Sequence, residues 1–234
     1  MEVAIVTVGD ELLTGRTTNR NATWLCDRLD ERGVSVARVT TVPDAVEDIA
    51  PVVNVYRAAY DAVIVTGGIG PTHDDVTMEG VAAAFGRSLE TDEAVLEWLE
   101  AERGYAREDL TPGTAELPRG ARPLHNPVGV APGCVLLDVY VLPGVPEEME
   151  GMFETIADEF HGRDRYRAVV RTGEPESALV DRLRTVRDEF GVTVGSYPGR
   201  DVELVLTATD EATLEAATDW LQTRVDPPAN DERP

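Results

Sequence analysis

The sequence contains no lysine: all 21 of its basic residues are arginine, set against 44 aspartates and glutamates. That absence removes every reaction that needs a lysine amine, from Schiff-base formation to the phosphate-gripping lysine of a P-loop or a protein kinase. Pyridoxal enzymes and Walker-type ATPases are excluded. Cysteine is nearly as scarce. Cys26 and Cys134 lie far apart at apolar-patterned positions and read as small buried hydrophobes, not as a disulfide or a zinc pair. Long apolar runs are missing too. None reaches the roughly 18 residues that span a bilayer, and Met1 leads into a strand pattern instead of a basic leader, so the expectation is a cytoplasmic protein with no membrane partner. Internal repeats and low-complexity tracts are also absent.

What is abundant is acid. The net charge of −23 repels nucleic acid and anionic lipid over most of the surface, and a nucleic-acid partner is not expected. An acidic, lysine-free chain that is still patterned for folding suggests a halophilic protein, whose carboxylates hold water in concentrated salt. An acidic protein from a GC-rich genome is the plainer alternative. The 234 residues suffice for one large α/β domain, or for a domain of about 150 residues with a smaller companion.

The hydrophobic pattern predicts alternating strands and helices. Residues 3–8 are almost wholly apolar, as in a central parallel strand. Ala22, Leu25, Cys26 and Leu29 then recur at helical spacing, and Gly33 stands where that helix ends. A second strand is expected over 34–42. Pro43-Asp44 should open a helix with Ile49, Val52, Val53 and Tyr56 inward, although Pro51 must kink it or delay its start. The buried strand 62–65 runs into Gly67, Gly68 and Gly70, and Thr77 is expected to cap the helix that ends at Gly86. Beyond it come a helix over 92–103 and a turn-rich but apolar stretch from Thr111 to Gly133, expected to wrap over a site. Two short strands in 134–142 and a helix over 147–160 follow.

This βαβαβα run implies right-handed crossovers and an α/β class fold: a three-layer αβα sandwich around a mostly parallel sheet, over residues 1–162. After the polar run 161–165, a small α+β unit of order βαββα is expected over 166–225, and the tail 226–234 reads as disordered.

Two loops should share a site. Ligands of open α/β sheets bind beyond the carboxyl ends of the strands, where Gly9-Asp10-Glu11 follows the first strand and the glycine turn follows the third. Three glycines in four residues let backbone N–H groups approach an anion, and the next helix adds its positive end. Asp10, Glu11, Asp44, Asp74 and Asp75 then crowd one rim. Any one of them reads equally as a helix cap. Gathered together they are costly unless a cation offsets them, which suggests a divalent metal bridging protein and phosphate. The turn is not a dinucleotide fingerprint, because His73 stands where the third glycine belongs. His73 itself reads as a general base or as a surface residue. Asn126 and the loop to Gly133 offer donors suited to a purine edge or a phosphate, or simply ordinary turn chemistry.

Five motifs in order carry a resemblance. Gly9-Asp10-Glu11-Leu12-Leu13-Thr14-Gly15, Asn19 with Asn21, Thr66-Gly67-Gly68-Ile69-Gly70-Pro71-Thr72 with Asp74-Asp75-Val76-Thr77, Asn126-Pro127-Val128-Gly129 with Ala131-Pro132-Gly133, and Leu142-Pro143-Gly144-Val145-Pro146-Glu147-Glu148-Met149 resemble the competence/damage-inducible protein A (CinA) family. The first domain of that family is of the molybdopterin-binding type found in molybdenum-cofactor biosynthesis proteins. The resemblance implies a small-molecule nucleotide or pterin ligand and an ADP-ribose pyrophosphatase activity that needs a divalent metal, Mg²⁺, with K⁺ as a further ion. Molybdopterin is the alternative ligand. Asp75 falls on the superfamily's catalytic or metal-binding aspartate and Asp44 on a second acidic position, with Glu11 assisting. Gly9, Asp10, Gly67, Gly68, Gly70, Thr72, Asn126, Gly129 and Gly144 fall in the phosphate- or substrate-binding motifs.

Residues 166–225, with Gly173 and Glu176-Ser177, resemble more weakly the small KH-type domain that follows in the family, but lack the Gly-x-x-Gly clamp of an RNA binder. The chain stops where many relatives continue into a nicotinamide-mononucleotide deamidase domain, so that activity is not expected. Relatives are commonly dimers, which implies a homodimer. Two readings are carried forward: metal-dependent hydrolysis of a nucleotide diphosphate such as ADP-ribose, and molybdopterin binding without turnover, or with adenylyl transfer.

Overall fold

The computed structural model describes residues 1–228 and divides into two compact units that meet between Gly162 and Arg163. In the first unit, β-branched runs form strands buried on both faces. β1 (Glu2–Val8) buries every residue but the first, and leads through α1 (Asp10–Leu13) and α2 (Arg20–Glu31) to β2 (Ser35–Val42). α3 (Val46–Ala59) returns to β3 (Ala62–Thr66), all of whose five residues are buried. α4 (Thr77–Ala84), β4 (Leu89–Thr91), α5 (Glu93–Arg103), β5 (Glu116–Pro118) and β6 (Arg122–Leu124) follow. The hairpin of β7 (Gly133–Leu136) and β8 (Val139–Leu142) and the helix α6 (Pro146–Ile156) end the unit.

The six-stranded sheet has the order β2-β1-β3-β8-β7-β6. Its first four members are parallel and the last two antiparallel. The register sets Ile5 between Val39 and Ile64, and Ile64 beside Tyr140. Alternate side chains of β3 feed opposite layers. Val63 and Val65 meet Ile49 and Val53 of α3, Val81 of α4 and Val95 and Leu99 of α5. Ala62 and Ile64 meet Leu25 and Leu29 of α2 and Met149, Met152, Phe153 and Ile156 of α6. Each large apolar side chain so buried contributes about 1.5–3 kcal/mol relative to exposure. The expected αβα sandwich is therefore the observed one, with an antiparallel hairpin completing its edge.

Three local expectations are corrected. The helix after Pro43 begins only at Val46, and Pro51 lies inside it. Pro51 and Glu47 are both on the exposed side, so the carbonyl that lost its donor faces water and the helix continues. Thr77 does not cap α4: Val76 occupies that place, and Thr77 is the first helical residue. The last main helix of the unit stops at Ile156, beyond which 157–159 tighten into a 3₁₀ turn.

Both cysteines are free, and burial pushes the Cys134 thiol up to about 12, in keeping with an inert core residue. Among the described residues no helix is long and apolar enough to cross a membrane.

The second unit has the βαββα order expected of it: β9 (Tyr166–Thr172), α7 (Glu176–Phe190), β10 (Thr193–Tyr197), β11 (Val202–Ala208) and α8 (Glu211–Gln222). Its three strands pair antiparallel in the order β10-β11-β9. Leu179 and Val186 of α7 and Leu214, Ala217 and Leu221 of α8 cover Val170, Leu204 and Leu206. Gly191 ends α7 in the left-handed conformation, and the Asp210 carboxylate caps α8 by accepting from Thr213 N at 2.8 Å. The tail expected to be disordered is anchored at its start. Asp226 N donates to Glu174 Oε1 at 2.8 Å, and Gly173 N to the Pro227 carbonyl at 3.3 Å. The remainder of that expectation, 229–234, lies outside the described residues.

Candidate functional site

In the parallel part of the sheet, the chain leaves β1 toward β2 on one side and returns to β3 on the other. The crevice beyond the carboxyl ends of β1 and β3 is thus a topological switch point, the expected place for a ligand. A cavity of about 360 Å³ lies there. Gly9 and Glu11 after β1, Asp44 after β2, Gly67 and Gly68 after β3, and Gly144 after β8 all line it. Asp74 and Asp75 reach its rim, and Arg20, at the start of α2, is the one cation among the described residues that line it.

Glycine at 67 is required by packing. Its φ is +99°, and a Cβ there would lie 2.2 Å from the Val8 carbonyl oxygen. A Cβ on Gly144 would in turn lie 3.2 Å from the Gly67 Cα. Three strand ends converge on a backbone with no room for a side chain. Gly67 N donates to the Leu142 carbonyl at 3.2 Å, so the N–H groups open to a ligand begin at Gly68 and not at Gly67.

Asp44 is partly buried, as is Asp75, whereas Asp10, Glu11 and Asp74 are exposed. Its Oδ2 accepts from the Asp10 backbone N–H at 2.8 Å, which fixes the carboxylate at the mouth of β1. Burial raises its pKa, the bond from Asp10 opposes this, and the charges of Glu11, Asp10 and Asp74 raise it further. Asp75 is engaged differently. Its Oδ2 accepts from Thr72 N at 3.0 Å and from the Thr72 hydroxyl, while Asp75 N donates to the Thr72 carbonyl at 3.1 Å. The Thr72 hydroxyl also reaches Asp74 Oδ1 at 2.6 Å and lowers that carboxyl's pKa. Thr72 and Gly70 line an adjoining cavity of about 200 Å³, which shares Asp75 with the first.

Asn126 and Gly129 stand apart from both cavities. Asn126 is fully buried and its amide is spent within the protein: Oδ1 accepts from Val128 N and Gly129 N, while Nδ2 donates to the Ala131 carbonyl and to Glu148 Oε2. A Cβ on Gly129 would meet the same Glu148 carboxylate at 2.3 Å. The Thr111–Gly133 stretch therefore folds onto α6 and the smaller cavity instead of covering the larger one. Asn126→Ala should lower stability by about 2–3 kcal/mol, read in a denaturant titration, because several buried partners are orphaned together.

His73 is fully exposed, with Nδ1 3.9 Å from Asp74 Oδ1, which fits the surface reading. Sequence reasoning overlooked Arg20 and gave Asn19 and Asn21 no role. Asn19 caps α2 by accepting from Ala22 N at 3.1 Å and donates to Thr7 Oγ1 at 3.0 Å. Asn21 Nδ2 donates to the Gly144 carbonyl at 2.8 Å, so the pair ties the start of α2 to two strand ends. The cap signal at Asn19 was legible, and it is what sets Arg20 at the first helical position facing the crevice.

Among the described residues no three His, Cys, Asp or Glu side chains converge as a metal cage. The donors present still fit a hard divalent ion. Mg²⁺ is commonly held by one or two carboxylates with substrate phosphates and waters supplying the rest, and Asp44 and Asp75 border one cavity.

Comparison with known proteins assigns this architecture. Residues 4–162 match the family described as probable molybdopterin binding domain, and residues 165–230 match the one described as the middle domain of FAD synthase. A protein of Archaeoglobus fulgidus is 39% identical over 222 residues, covering 90% of this chain and 96% of its own. One of Aeropyrum pernix is 42% identical over 232 residues, covering 91% and 87%. The crystal structure of the protein CinA from Thermoplasma acidophilum, described as of unknown function, superposes with a TM-score of 0.63 at 38% identity, over 68% of this chain and 97% of that one. The chain belongs to the molybdopterin-binding domain family and, within it, is CinA-like.

Proposed function

We propose that the cavity at the Gly67–Gly68 turn binds a nucleotide diphosphate such as ADP-ribose together with Mg²⁺, and hydrolyses its pyrophosphate bond. The observation that carries this reading is Asp44. It is a half-buried carboxylate with a raised pKa, set where backbone N–H groups from Gly68 onward and the Arg20 guanidinium can receive phosphate oxygens. Carboxylates alone would repel such a ligand. Mg²⁺, when bound, would neutralise the diphosphate and make a bound water more acidic. The chain's own part is then to orient and to move a proton. Asp44 takes a proton from the attacking water, the water oxygen bonds to one phosphorus, and the bridging P–O bond breaks to leave two phosphate monoesters. Asp75 holds the turn through Thr72, and it and Asp44 would hold the ion when it is bound. K⁺ is a further ion to test, and the homodimer remains a proposal for the assembly.

Purified protein with Mg²⁺ in concentrated KCl should release AMP from ADP-ribose, and Asp75→Ala should lower that rate at least tenfold. Full activity in Asp75→Ala removes its role, and no AMP from the wild type removes the hydrolase reading.

The engagement of Asp75 Oδ2 by Thr72 favours a second reading, in which the carboxylate only shapes the turn and the unit holds molybdopterin by its phosphate. Tight binding of that pterin with no cleavage of any dinucleotide would favour it, and pyrophosphate release from ATP would indicate adenylyl transfer.

A further inference from the structure

Thr77 adjoins Gly68, one of the residues that line the larger cavity. Its side chain is completely buried, and its hydroxyl has no hydrogen-bond partner among the described residues. Buried hydroxyls nearly always have one, because leaving one unpaired costs the full desolvation of the group. Thr77 N donates to the Gly68 carbonyl at 3.0 Å, so the residue is fastened to the turn itself. A Cβ on Gly68 would lie 2.5 Å from Thr77 Oγ1 and 3.3 Å from Asp44 Oδ1. The hydroxyl thus faces a glycine that lines the cavity, and the lack of a side chain at 68 is what leaves its approach open. Gly68 has φ +59°, a left-handed conformation that glycine adopts without strain. The hydroxyl also stands at the first position of α4, whose N-terminal end favours a negative charge.

We propose that Thr77 is a binding residue whose hydroxyl donates to a phosphoryl oxygen of the ligand seated on Gly68, after a small displacement of the turn. The inference rests on the phosphate-seat reading above and adds a specific donor to it. It also explains why an unpaired hydroxyl persists between the apolar residues Val76 and Met78. A valine there would fill the same space with no orphaned group, and its absence is accounted for if the hydroxyl finds its partner only in the ligand.

The test compares wild type, Thr77→Val and Thr77→Ser, using calorimetric titration with AMP in the presence of Mg²⁺ and thermal melting of the free protein. Thr77→Val should raise the melting temperature by roughly 2–4 °C, since it removes an unpaired buried hydroxyl, and should weaken AMP binding at least tenfold. Thr77→Ser, which keeps the hydroxyl, should bind within about threefold of wild type, given that one retained hydrogen bond is the quantity at stake. Binding by Thr77→Val equal to wild type overturns the inference while leaving the phosphate seat intact. Loss of binding together with a lowered melting temperature also overturns it, because that marks damage to the turn. Wild-type protein that does not bind AMP·Mg²⁺ overturns the seat and the inference with it.

Discussion

Asp44→Asn is expected to lower the rate of ADP-ribose cleavage by about 10²–10⁴-fold, the range a positioned general base contributes, while making the free protein more stable at neutral pH. Both signs follow from one environment. Asparagine can still accept the Asp10 N–H through its amide oxygen, so the local geometry is kept. What it cannot do is take a proton from water. On the stability side, the folded protein holds the Asp44 carboxyl above its unfolded value, so the folded state binds that proton more tightly than the unfolded state. Ionisation of Asp44 therefore subtracts stability as pH rises from the ordinary carboxylate value through the folded one, and the loss is complete above it. The variant escapes that loss. Its melting advantage should be full near pH 7 and vanish once pH falls below the ordinary carboxylate value. The wild-type rate should rise with pH across the same interval. A variant both slower and less stable at neutral pH would contradict the assignment.

Gly67→Ala is expected to destabilise the first unit by about 3 kcal/mol or more, from left-handed strain plus a backbone collision. The φ of +99° is unfavourable for any L side chain, and the Val8 carbonyl at 2.2 Å from the added carbon is backbone at the end of β1 and cannot step aside as a side chain could. Gly15→Ala is the matched control. Gly15 has φ +71° but nothing within 4 Å of its added carbon, so it should lose only about 1 kcal/mol. Thermal melts of the two variants separate conformational strain from collision. Equal losses would mean that the convergence of β1, β3 and β8 on Gly67 carries no energetic weight.

Much of this fold was legible in the sequence, because its signals were local and agreed with one another. The apolar β1 and β3, the helix α5, and the βαββα order of the second unit all follow from periodicity and turn chemistry. The failures arose where a distant partner decides. Thr77 has the right residue type for a cap, but the chain bends one residue earlier because its N–H is taken by Gly68. Asn126 carried the chemistry of a ligand donor, and only the approach of Glu148 from α6 shows that its amide is fully spent. Asp226 looked like a solvated tail until Glu174 came across to receive its N–H.

The candidate site followed the same division. Glycine spacing and clustered acids pointed to the strand ends, whereas the difference between Asp44, partly buried, and Asp75, bound to Thr72, needed the tertiary structure.

The account turns on whether the Gly68 turn beside Asp44 is a phosphate seat that works with a cation. Calorimetric titration of wild type and Asp44→Asn with AMP, with and without Mg²⁺, measures this directly. The predicted result is wild-type binding that requires Mg²⁺ and weakens at least tenfold in Asp44→Asn, and AMP affinity indifferent to both the ion and the substitution would contradict it.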